Sequence, residues 1–162
     1  MVRALGVSVI MAGLAVAATS AKSAPQIPTY DKLIEWVDKC KVELLDQGLG
    51  VVPGNMLDSK GPDGLPLLVR AAQSDCDEAI EHIILAGADV NIADAKGYSV
   101  LHSAAEKSTE KVVKMLIMRG AKVEAVTKDG MTVLQAAEKN LYKGKTEQRD
   151  KIIKLLKSKG AK

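Results

Sequence analysis

The feature that most limits what this chain can become is that it repeats itself. "DGLPLLVRAAQS" (Asp63–Ser74) returns as "KGYSVLHSAAEKS" (Lys96–Ser108) and again as "DGMTVLQAAEKN" (Asp129–Asn140). Gly64, Gly97 and Gly130 stand 33 residues apart, as do Leu68, Leu101 and Leu134, and Ala71, Ala104 and Ala137. A fixed period of this length marks stacked supersecondary units, not one deep globular core. Composition agrees. With 2% aromatics and no Phe, the interior must be built from Ala, Leu, Ile, Val and Met, which suit thin, closely packed layers.

Each unit follows the same grammar. The register Gly supplies a tight turn. Pro66, Ser99 or Thr132 then opens a short helix, by its fixed φ or by capping free amides. Paired alanines let neighbouring helices come close. After a short link, a second helix carries Ile80, Ile83 and Ile84, or Val112, Val113, Leu116 and Ile117, at helical spacing. Gly87 and Gly120 end that helix, and the chain extends through a hairpin to the next register Gly. In the third unit the match resumes at Ile152–Ile153, at a step of 40 from Val112–Val113. The additional residues in "LYKGKTEQRD" lengthen the link between its two helices. Upstream, Tyr30–Gly48 is an amphipathic segment, one helix or two, with Leu33, Val37, Cys40 and Leu44 on one face. It reads as an N-terminal cap, followed by an enlarged finger of unassigned path over 49–62. Lys151, Lys154, Lys157 and Lys159 give the last helix the wettable outer side that a terminal unit needs.

These pieces resemble the ankyrin repeat. "GADVN" (Gly87–Asn91) is a full match to that family's pattern, and "GYSVLHSAA" keeps Leu101 and His102 while replacing Thr by Ser99 and Pro by Val100. The resemblance covers residues 63–162. It implies an all-α repeat solenoid of helix–turn–helix–hairpin units with N- and C-terminal caps. The organisation expected is 1–21 signal peptide, 22–29 tail, 30–62 cap and finger, then repeats at 63–93, 94–126 and 127–162. The resemblance also implies that His102 braces the finger turn. Finger tips and first helices would form a concave face on which Leu65, Tyr98 and Met131 line up. Asp63, Lys96, Lys128 and Asp129 would surround them at the tips, and Gln73, Lys107 and Lys139 would mark the ends of the first helices. An exposed apolar row with a polar rim points to a partner; the alternative is that Leu65 and Met131 only prop the fingers. Tyr142, in the insert, is a second candidate contact.

No catalytic constellation is visible. His82 and His102 are the only histidines, no Cys/His spacing for zinc occurs, and no nucleophile elbow or phosphate-binding loop appears. We expect no enzyme, no cofactor and no metal. The net charge of +3 conceals a division: Pro25–Asp94 holds 5 Lys/Arg against 13 Asp/Glu, and Ala95–Lys162 holds 16 against 7. Aromatic stacking residues are lacking, so nucleic acid is not the expected partner. An acidic protein surface or anionic polymer is.

Residues 1–24 carry Arg3, an uncharged run from Leu5 to Ala18 and small residues beyond, the layout of a secretory signal. Cleavage is expected after Ala18 or Ala21; an uncleaved anchor is the alternative. The expected location is the periplasm, with no membrane anchor after cleavage. Cys40 and Cys76 would sit on neighbouring helical layers, so a disulfide and two separate thiols are both open. The chain is similar to small periplasmic ankyrin proteins of bacteria. That resemblance implies a protein partner in the envelope and a monomer when unbound. The role it suggests is inhibition of, or immunity to, a peptidoglycan-cutting enzyme such as an endopeptidase. The alternative is an accessory factor for periplasmic catalase and oxidative-stress defence.

Overall fold

The computed structural model describes residues 27–74, 76–140 and 146–161. The expected signal segment and Tyr142 lie outside the described residues. The helices are α1 (Tyr30–Asp38), α2 (Val42–Leu49), α3 (Gly54–Leu57), α4 (Leu67–Gln73) and α5 (Asp77–Leu85), then α6 (Val100–Lys107), α7 (Glu110–Met118), α8 (Val133–Glu138) and α9 (Thr146–Ser158). Among the described residues there is no strand, only isolated antiparallel bridges. The fold is the all-α stack that the repeat implies. First helices α1, α4, α6 and α8 pack in sequence as one row. In the second row α2 packs on α5 and α7 on α9, while α5 and α7 line a common cleft.

Equivalent residues take equivalent roles. The bridges Lys60–Pro66, Ala93–Ser99 and Val126–Thr132 close three fingers at the repeat period. Inside them Gly64, Gly97 and Gly130 have φ of +77°, +77° and +81°, and each amide donates to the carbonyl three residues back. Ser99 and Thr132 open α6 and α8 with capping boxes completed by His102 and Gln135, which satisfy the first free amides. Helices α5, α7 and α9 end alike, with the Ala88, Ala121 and Ala161 amides bonded back to Ile83, Leu116 and Leu156 around left-handed Gly87, Gly120 and Gly160. The 33-residue step between the first two endings becomes 40 at the third, which places the insert between α8 and α9. Ala71, Ala72, Ala104, Ala105, Ala136 and Ala137 are all buried, so the first row is spaced by methyl groups.

Neighbouring fingers touch through backbone: the Lys128 amide donates to the Lys96 carbonyl at 2.8 Å. A Cβ at Gly97 would lie 3.4 Å from that Lys128 nitrogen, whereas one at Gly130 meets nothing within 4 Å. Alanine at either position carries a left-handed penalty of about 1–2 kcal/mol. We expect Gly97→Ala and Gly130→Ala to lose similar stability in urea unfolding, because at 3.4–3.7 Å the methyl added at Gly97 only comes into ordinary contact with the third finger. A distinctly larger loss at Gly97 would mean that the inter-finger contact leaves no room for it.

The N-terminal segment departs from one expectation. Tyr30–Gly48 is two helices, broken at Cys40, which has φ +49°. The helical phase restarts at Val42, so Leu45 is fully buried and Leu44 is 44% exposed. Leu33 and Val37 share the buried face as expected; Leu44 does not. The enlarged finger contains α3, which buries Leu57, and the Tyr30 hydroxyl holds it by donating to the Ser59 carbonyl at 2.7 Å. Cys40 is disulfide-bonded to Cys76, the residue that precedes α5, with Cα atoms 5.6 Å apart. The cap is therefore joined covalently to the first repeat.

Candidate protein-binding face

Each finger leans over the end of its own first helix, and the side chains that fix this lean define an inner corner. In the first corner Asp63 accepts from the Leu65 amide at 3.1 Å and pairs with Arg70 of α4. The same guanidinium holds Asp38 of α1 at 3.0 Å. Asp63 is thus committed to an internal clamp between cap, finger and helix. In the second corner the Tyr98 hydroxyl donates to Glu106 of α6, and its ring lies 5.2 Å from that of His102. Burial, then the Glu106 carboxylate, push the phenol above its ordinary value, so it stays a donor. In the third corner Lys139 approaches the Met131 sulfur at 3.5 Å. There a shallow cleft is lined by Asp129, Gly130, Met131, Gln135, Glu138 and Lys139.

The structure brings Leu65, Tyr98 and Met131 to the same place in successive corners, each half-buried. Leu65 and Met131 pack against the core, so they support their fingers as well as edge the face. Gln73, Lys96, Lys107, Lys128, Asp129 and Lys139 are exposed.

His102 ties one corner to the next. It is fully buried. Its Nδ1 accepts from the Ser99 amide at 3.3 Å and lies 2.8 Å from Ser99 Oγ, while Nε2 lies 3.2 Å from the Met131 carbonyl of the following finger. A neutral ring protonated at Nε2 satisfies all three. Burial lowers its pKa from the ordinary 6.5, opposed by the Met131 carbonyl and the Asp94 carboxylate. The other histidine, His82, has Nδ1 2.7 Å from Asp46 and joins α5 to α2.

Several residues of the face were not singled out from the sequence. Arg70 and Glu106 fix the first two corners. Buried Asn140 donates to the Ala105 and Ser108 carbonyls at 2.7 and 3.3 Å, closing the end of α6. A usable signal existed for Glu106, which occupies the register position of Gln73 and Lys139. Among the described residues no cluster of three or more His, Cys, Asp or Glu could hold a metal ion.

A comparison with curated protein sequences finds no match. The family profile described as ankyrin repeats, in 3 copies, matches residues 68–162. The finger geometry, the paired capping boxes and that match agree: the chain belongs to the ankyrin-repeat family, whose stacks serve as protein-interaction modules.

Proposed function

We propose that this is an exported, non-enzymatic protein that grips a protein of the cell envelope with its inner face and restrains it. The client that fits best is a peptidoglycan-cutting enzyme, in an inhibitor or immunity role. The observation that carries the reading is the row of three corners, set by matching backbone and internal side-chain ties. A surface already ordered before contact loses little freedom on binding, which favours tight blocking. Two further features support it. A disulfide between cap and repeat suits an oxidising compartment. Both histidines are engaged in structural contacts, one buried and one paired with Asp46.

Co-purification from a periplasmic extract names the client. An endopeptidase or amidase should be recovered and its activity suppressed at equimolar ratio. Tyr98→Ala and Met131→Ala should each weaken the complex about tenfold if these side chains anchor it; unchanged affinity discards the inner face. A recovered hydrolase that keeps full activity rules out inhibition. Deletion that sensitises cells to peroxide, and not to cell-wall damage, favours the catalase-accessory role.

A further inference from the structure

The division of charge resolves, in three dimensions, into stripes on the opposite side of the molecule. On α5, Glu78, Glu81 and Leu85 recur at i, i+3 and i+7 and face solvent. On α7 the register-equivalent residues are Lys111, Lys114 and Met118, also exposed. On α9 the equivalents of the two lysines, a step of 40 further, are Lys151 and Lys154; α2 presents the acid pair Glu43 and Asp46. The order along the second row is acid, acid, base, base. Within the chain, Lys151 pairs with Glu147 and Asp46 with His82. Among the described residues no ion pair engages Glu43, Glu78, Glu81, Lys111, Lys114 or Lys154. Leu85 and Met118 are 63% and 77% exposed, the highest values for large hydrophobic side chains among the described residues.

We infer that this outer face docks onto the outer face of a second copy of the same chain. Two identical surfaces can meet around a two-fold axis only if the patch complements itself. An axis running parallel to the helices, along the α5–α7 cleft, reverses the order of the stripes. It lays α2 over the partner's α9 and α5 over the partner's α7. Each carboxylate pair then meets a lysine pair, and Leu85 meets Met118 of the partner subunit. The other in-plane axis, across the helices, would set acid against acid. Charge therefore selects one arrangement, with helices parallel, and leaves the inner face free. This revises the monomer expected from the sequence. The contact is largely electrostatic and rimmed by water, so it should be weak and sensitive to salt.

The test is sedimentation equilibrium on the mature, disulfide-intact protein. At about 0.02 M salt a dimer should form, and at about 0.5 M, where screening reaches only a few ångströms, it should dissociate. Lys111→Glu/Lys114→Glu should be monomeric, and so should Glu78→Lys/Glu81→Lys, each with unchanged circular dichroism. An equimolar mixture of the two variants should restore a dimer, because the acid α5 and α7 of one copy then face the basic α7 and α5 of the other, and the outer α2–α9 pairs remain complementary. A wild-type monomer up to about 1 mM at low salt (where even contacts near −4 kcal/mol would show) overturns the proposal. Species that keep growing with concentration also overturn it, since they report head-to-tail contact. Failure of the mixed variants to associate rejects the pairing.

Discussion

Replacing Cys40 and Cys76 by serine is expected to lower unfolding stability by about 3–4 kcal/mol. The bridge closes a loop with a sequence separation of 36, and a cross-link of that span removes roughly this much chain entropy from the unfolded state. Dithiothreitol should shift the wild-type midpoint as the double substitution does, and should leave the variant unmoved. The loss should be local at first. Helices α1 and α2 are held otherwise by Leu33, Val37 and Leu45 and by the Arg70–Asp38 and His82–Asp46 pairs. Hydrogen exchange should rise there before it rises in α6. Identical midpoints for wild type and variant would show that packing alone secures the cap.

Replacing His102 comes next in size. The ring is buried, and its loss opens a cavity and strips a partner from the Met131 carbonyl; His102→Ala should cost about 2–4 kcal/mol. His102→Gln should cost less, because Gln135 already completes the equivalent capping box in the next unit. The pair also isolates a pH effect. The folded pKa of His102 lies below its ordinary 6.5, so the unfolded chain binds the proton more readily. The stability from the neutral ring is fully present above about pH 6.5 and is lost as pH falls through the folded pKa. The wild type should weaken with acid more steeply than His102→Gln. Parallel profiles would mean that the ring is not titrating against burial.

The repeated part of the fold was legible because the chain checks its own reading. Three glycines at one spacing must serve one conformation, and all three are left-handed. The seven-residue lengthening of the third unit was also visible, since Ile152 resumes a pattern set by Val112. What escaped had no second copy to compare with. No Gly or Pro marks the turn at Cys40, so the phase change that buries Leu45 in place of Leu44 left no trace. The inner face was legible in position and not in bonding. Asp63 sits where the finger tip was expected, but its partner Arg70 had no counterpart to announce it, since the other units carry Ser103 and Ala136 at that register position. The unequal charge of the two halves was plain in the composition. Its arrangement as stripes required knowing which turn of each second helix faces outward.

The cap cross-link also gives the molecule a direction. One end is riveted; the other, α9, is fastened by side-chain packing on α7 and α8. Under heat or tension such a body peels, starting from the loose edge and advancing one layer at a time toward the rivet. The second and third corners should therefore slacken before the first, and a client seated across all three would be released from the same side every time.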